Sequence, residues 1–312
     1  MSRMTDRREF LKGGLAIASA LVTAGTVDVL APMISQAAQN PDLAVARGSD
    51  PAKLARAAVD ALGGMSKFVA AGNKVVVKPN MSFARNPDQA ANTHPEVVRE
   101  VCKMCVEAGA SRISVLDYVL HEPKDCLSMS KIPELCGSVD KTVVSAIQGK
   151  RRFREVKVPN GNYVKSMEVS VDVLDADVLI AVPVGKSHGA AGVSLSMKGM
   201  MGLIYDRHSF HGRYDLHAAI ADMVTVLKPK LVVVDGTRIM SSGGPGGPGK
   251  VLPMNLVIAS TDMVAADAQM VALGEWYGQK FRPDQVRHIK IAGERGLGQM
   301  DLNRVNVKEV QV

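Results

Sequence analysis

Three side chains able to do covalent or proton-transfer chemistry crowd one short stretch, VGKSHGAAGVSLSMKGMM over residues 184–201. Lys186, His188 and Lys198 are the candidate catalytic residues. A histidine titrates close to neutrality and serves as acid, base or metal ligand. A lysine that is desolvated and crowded by other cations loses its proton and becomes an amine nucleophile. Lys198 stands among Met197, Met200 and Met201, an apolar setting that demands a reason for an amine. The glycines and alanines between these residues let a backbone approach a ligand closely. His188 is therefore read as the acid/base group and Lys198 as a tether for cofactor or substrate, with Lys186 beside them.

A second tier of residues is read as a cofactor-binding crevice: Lys78, Asn80, Thr93, His94, Asp235, Gly244 and Gly246. Lys78 and Asn80 close the run VVVKPN, and Asp235 closes LVVVD. Lysines at such points suit an anion. The loop SSGGPGGPGK offers backbone N–H groups and little bulk, as a lid or a phosphate nest would, or as a plain surface turn. It is not a P-loop, because G-x-x-x-x-G-K-[ST] is absent. His208 and His211 lie three apart and would share a face if their segment turns helically, with His217 close behind. With His188 and an aspartate they are candidate ligands for a divalent metal with an open position for substrate.

The elements that must position these groups alternate. Apolar β-branched runs at 74–78, 113–117, 178–184 and 231–235 read as buried strands, and helical patterns separate them at 51–71, 95–108, 215–227 and 263–277. This predicts an α/β fold with a mostly parallel sheet flanked by helices, with a crevice that two lobes would enclose if the chain divides so. In open parallel sheets ligands bind beyond the carboxyl ends of the strands, which is where residues 78–80 and 186–198 would fall. A strand at 142–147, an antiparallel strand over 163–174, strands at 256–259 and 305–310, and a helix over 283–292 complete the pattern.

The chain has 312 residues and a net charge of +7. Its positive residues are scattered, and the one local cluster, Lys150 to Arg154, holds a single aromatic, Phe153, and no series of stacking ones, so nucleic acid is not an expected partner. Residues 6–12, DRREFLK, precede a small-residue apolar run that ends near Ser35-Gln36-Ala37. That pattern reads as a twin-arginine export signal over 1–37, a linker over 38–50 and an α/β domain over 51–312. The expected partners are the twin-arginine translocase and a small molecule, in the periplasm or another exported location. The run is too weakly apolar for a permanent membrane span. Of four cysteines, Cys102 and Cys105 form a lone C-x-x-C inside a helical pattern, which suits core packing, a disulfide with Cys126 or Cys136, or metal and redox work. No four-cysteine ferredoxin run exists, so an iron–sulfur cluster is not expected from this chain.

The motifs VVVKPN (75–80), THPEVV (93–98), PVGKSHGAAGVSLSMKGMMG (183–202), VVVDG (232–236) and the Gly/Pro-rich loop before AST-D-MVAAD (259–267) resemble the family catalogued as domain of unknown function 362. The resemblance covers about residues 70 to 275. The segment His188 to Lys198 is also similar to the H-x-x-A-G-x-S-x-x-x-K stretch of nickel-pincer lactate racemases. That likeness implies His188 as acid/base for hydride chemistry and Lys198 as covalent holder of a nickel-type organometallic cofactor. Where it implies a nickel-ligating histidine, this chain has Tyr214, and no arginine stands near Thr93-His94-Pro95. The expectation is an exported cofactor- or metal-dependent enzyme, isomerase- or oxidoreductase-like, acting on a small anionic or hydroxylated substrate. A non-catalytic metal or anion carrier and an accessory protein of an envelope redox complex stay open as alternatives.

Overall fold

The computed structural model describes residues 42–312. The expected export signal lies outside the described residues, as does the start of the expected linker. Twelve strands follow in order: β1 (Leu43–Arg47), β2 (Lys74–Pro79), β3 (Arg112–Asp117), β4 (Thr142–Ala146), β5 (Phe153–Lys157), β6 (Ser166–Ser170), β7 (Val178–Val182), β8 (Val184–His188), β9 (Gly192–Ser194), β10 (Leu231–Met240), β11 (Val251–Ser260) and β12 (Val307–Gln311). Ten form one sheet in the order β12-β1-β11-β10-β7-β2-β3-β4, with β8 continuing alongside β10 and carrying β9; β5 and β6 make a separate two-stranded ribbon.

From β10 through β7, β2 and β3 to β4 all neighbours are parallel. These strands carry the apolar runs because helices cover both faces, so neither face can be polar. On one face lie the helices Pro51–Ala61 and Pro95–Glu107, packed through Leu54, Val59, Val97 and Val101. On the other lie Leu216–Met223 and Met263–Leu273, with Ile220, Met223 and Met270 in the core. The mixed α/β fold with a mostly parallel, helix-flanked sheet is thus present. No helix among the described residues is long and apolar enough to cross a membrane.

Three expectations change. The stretch LAVAR, expected within a linker, is the buried strand β1, antiparallel to β11 and parallel to β12. Its leucine and valine enter one core and its alanines the other, so both faces are occupied. The first helix stops at Ala61 rather than running to 71, because Gly63 and Gly64 adopt φ of +107° and +82°, which helical backbone does not. The segment at 163–174 is antiparallel only over β6, whose partner β5 begins right after the basic turn Lys150–Arg152. All four cysteines are buried free thiols, Cys102, Cys105 and Cys136 within one core. Burial pushes the Cys105 thiol up to about 12, which makes it inert.

Candidate functional site

β2, β3 and the β7–β8 junction all end on the same rim, and there the chain leaves a cavity of about 870 Å³. Lys78, Asn80, Asp117, Lys186, His188 and Lys198 line it. The stretch from Val184 to Lys198 is not a loose loop. β8 and β9 form a hairpin with Lys186 opposite Ser194 and His188 opposite Gly192, and a short helix, Ser196–Gly199, follows. Asp267 holds that helix from below, its two oxygens accepting from the amides of Ser196 and Met197 at 2.8 and 2.9 Å. The spacing of the lysines and the histidine is thereby converted into a fixed wall.

Positive charge dominates this wall. Lys78 lies 3.1 Å from Asp117 Oδ1, both fully enclosed, while its amine donates to the Pro79 carbonyl at 2.5 Å. Asp117 Oδ2 is occupied by the Met81 amide and the Ser82 hydroxyl, whereas its Oδ1 accepts no hydrogen bond. Lys186, 2% exposed, donates to the Ala91 carbonyl at 2.6 Å and rests 5.0 Å from the Phe83 ring centroid. Lys198, 8% exposed, has neither an acceptor nor a carboxylate partner among the described residues; the charges that act on it are the cations Arg207 and Lys78. Burial, aided by neighbouring cations, brings both Lys186 and Lys198 down to about 7. Burial also lowers Lys78, against the pull of Asp117.

Two of the three histidines on the cavity wall, His188 and His211, have opposite polarity. His188 Nδ1 accepts from the amides of Ala190 and Ala191, each at 3.2 Å, so the proton of its neutral ring sits on Nε2. Burial and then the Lys198 charge press its pKa down to about 3, which keeps the ring neutral. His211 Nδ1 lies 2.9 Å from the Arg207 carbonyl and must donate there, leaving Nε2 with a free lone pair. The rings stack at 6.1 Å between centroids and 21° between planes. His188 thus presents a donor and His211 an acceptor.

The fold and the wall stand beside a sequence match that decides the family. A family model described as Domain of unknown function (DUF362) matches residues 75–272. The chain belongs to the DUF362 family. Among curated proteins, this DUF362 chain is 25% identical over 221 residues to the thylakoid-associated protein sll1697 of Synechocystis sp., covering 68% of the chain and 66% of that protein. Among solved structures it overlays on the lactate racemase apoprotein of Thermoanaerobacterium thermosaccharolyticum with a TM-score of 0.46 and 12% identity, covering 70% of this chain and 54% of that one. A structural-genomics protein of Thermotoga maritima gives a TM-score of 0.45 and 12% identity over 80% of this chain and 60% of its own. The DUF362 chain thus spans just under two thirds of its curated relative and little more than half of these structures.

Several residues read as cofactor-binding turn inward instead. The Thr93 hydroxyl accepts from the Asn80 amide at 2.8 Å and donates to the Val182 carbonyl at 2.7 Å. His94 caps the helix Pro95–Glu107 and gives its own amide to Asp235. Asp235, fully buried, is consumed by Arg238, Thr237 and His94 and does not border the cavity. The Gly244–Gly249 loop is fastened to its surroundings. The Gly244 amide donates to the Ser187 hydroxyl at 3.0 Å, and Arg85 grips the Gly246 carbonyl at 2.9 Å. A side chain at Gly246 would strike Phe83 at 2.8 Å, and Pro245 supplies the surface facing the cavity.

His208 and His211 share the helix Arg207–Gly212 and both border the cavity, whereas His217 stacks on buried His288 elsewhere. A divalent ion held by protein groups alone does not fit them. His188 Nδ1 already accepts two amides, so Nε2 keeps its proton instead of a ligating lone pair, and among the described residues no three His, Cys, Asp or Glu side chains converge. Sequence reasoning gave Arg207, Asp117, Gly202 and Asp267 no individual role in the site. Arg207 crosses the Tyr118 ring at 4.2 Å and donates to the Tyr118 carbonyl at 2.6 Å. Gly202 matters for closeness: a Cβ there would meet Asp117 Oδ1 at 2.0 Å and Lys78 Cε at 2.6 Å. Its only sequence signal is a glycine a few positions after the short helix.

Proposed function

We propose that this DUF362 protein is an enzyme that binds a small anionic or hydroxylated ligand over Lys78, Lys186 and Arg207 and uses Lys198 as its covalent amine. One observation carries the reading: Lys198 is buried on the wall of a large cavity, with Arg207 and Lys78 as the charges acting on it and no carboxylate paired with it among the described residues. A buried ammonium without a counter-charge is costly, and an anionic ligand offsets that cost on binding. The near-neutral amine is at the same time the form that attacks an electrophile.

The chain's own residues have separable tasks in this scheme. Arg207 and Lys186 are donors for the anionic end of the ligand. His188, with Nδ1 fixed by two amides, offers Nε2–H to a ligand oxygen, and His211 offers a lone pair as base. The base role therefore passes from His188 to His211. The local likeness to nickel-pincer lactate racemases implies a different occupant of the same amine, mutually exclusive with a covalently held substrate: a lysine-held organometallic cofactor, which the amine and cationic wall fit. When bound, it would supply hydride-accepting chemistry. On the twin-arginine reading of residues 6–12, the working compartment is the periplasm, reached after folding.

Calorimetric titration with inorganic phosphate, lactate and pyruvate at pH 7, beside intact-mass analysis of protein from its native host, tests the reading. Saturable one-to-one anion binding that weakens at least tenfold in Lys186→Ala and Lys198→Ala is expected, with a covalent mass on Lys198 where a cofactor is anchored. Affinity unchanged in both variants contradicts it. A metal that dialyses away, with anion binding untouched by either variant, makes the protein a carrier instead.

A further inference from the structure

Resting on that reading, we propose that Lys198 condenses with the carbonyl of a small 2-oxo acid to form an imine, so that the substrate class is a carbonyl compound bearing an adjacent carboxylate. The argument begins from the arrangement around the amine. Lys198, 8% exposed, lines the 870 Å³ cavity, and among the described residues no carbonyl or carboxylate accepts from its amine, so nothing there holds it as an ammonium. Lys186 is different, since its amine is engaged by the Ala91 carbonyl, and Lys78 is engaged by Pro79 and Asp117. One amine of three is therefore left to react, and the other two remain as charge.

The groups around it match the two ends of such a substrate. A carboxylate next to the carbonyl meets the cations Lys186 and Arg207 on the same wall. The carbonyl oxygen meets His188, whose Nε2–H is fixed outward by the two amides holding Nδ1. This neutral donor polarises the carbonyl without surrendering its proton. In the condensation the Nζ lone pair forms the bond to the carbonyl carbon. The carbon–oxygen bond then breaks, and the two amine protons leave with that oxygen as water. Nothing is oxidised or reduced. The imine carbon draws electrons from its neighbouring C–H bond, and His211 Nε2 is the lone pair on the wall able to take that proton.

Sodium borohydride trapping with pyruvate as the probe at pH 7, followed by intact-mass and peptide mapping, tests the assignment on the wild-type protein. The expected result is one reduced adduct per chain, mapped to Lys198, saturating with pyruvate and suppressed by excess inorganic phosphate. Lys198→Arg should lose the adduct, whereas Lys186→Ala should keep its position but need at least tenfold more pyruvate. Adducts spread over exposed lysines, or an adduct on Lys186, overturn the inference. Phosphate binding with no trapped adduct overturns the imine while leaving the anion-binding reading intact. Absence of both phosphate binding and adduct removes the two together.

Discussion

The Asp235 cluster and the Lys198 cluster both lie at the rim of the central sheet, both are enclosed, and both contain several ionisable groups, yet they are completed differently. Asp235 accepts from Thr237, Arg238 and the His94 amide, and the remaining guanidinium nitrogens of Arg238 reach the carbonyls of Pro87 and Asn92. Every side-chain donor of Thr237 and Arg238 there meets an acceptor within the protein. Around Lys198, the cations Lys78, Lys186 and Arg207 have Asp117 as their nearby carboxylate. The cavity's other acids, Glu168 and Asp206, are taken up by Lys150 and by Ser209. A polar cluster that closes on itself fixes backbone, whereas one short of acceptors is completed by something from outside. The difference separates scaffold from site more cleanly than burial does.

The largest expected effect comes from breaking the closed cluster. Asp235→Ala strands Arg238 and the His94 amide, and removing one partner of a buried pair costs about 3–5 kcal/mol. Urea unfolding should show that loss, with ligand affinity per folded molecule unchanged. Next comes Gly202→Ala, which forces Lys78 and Asp117 apart. Overpacking of that kind costs about 1–3 kcal/mol, and here anion affinity should fall as well. Both readouts moving together would place Gly202 in the site rather than merely beside it.

Lys198→Met should behave in the opposite sense, with stability rising by about 1–3 kcal/mol at pH 6 while anion binding is lost. The pH dependence follows from the lowered amine. Unfolded, it keeps its proton to its ordinary 10.5; folded, it releases it at about 7. Between those values the unfolded chain binds more protons, so wild-type stability climbs as pH rises. Below 7 the penalty of burying the charge is present in full, so the gain in Lys198→Met should be greatest there and vanish towards pH 10.5. Denaturation midpoints across that range check it; Lys186, lowered in the same direction, leaves a residual climb in the variant. The smallest effect is expected at Lys150→Ala. Its ion pair with Glu168 at 3.3 Å is 68% exposed on the lysine side, so stability should move by no more than about 0.5 kcal/mol.

What could be read from residues alone divides along the same line. The central strands were legible because a parallel strand covered on both faces is a continuous apolar run, as in VVVK and LVVVD. β1 was not, because LAVAR is short and poor in β-branched residues, and its partners β11 and β12 lie more than two hundred positions away. His188 and Lys198 were legible because their spacing falls within one hairpin and one short helix. Thr93, His94 and Asp235 were misplaced because nothing in spacing says whether a polar side chain turns to a cavity or to a neighbouring amide. Arg207 escaped because it joins the wall from a separate helix through a ring and a carbonyl of β3's exit loop.

The most direct measurement is the titration of the Lys198 amine itself, by NMR of isotopically methylated lysines with Lys198→Arg for assignment. Without added anion the resonance should titrate at about 7, and inorganic phosphate should carry it upward by at least one pH unit. A Lys198 resonance that titrates near 10.5 with or without phosphate would contradict a cavity whose cations await their counter-charge.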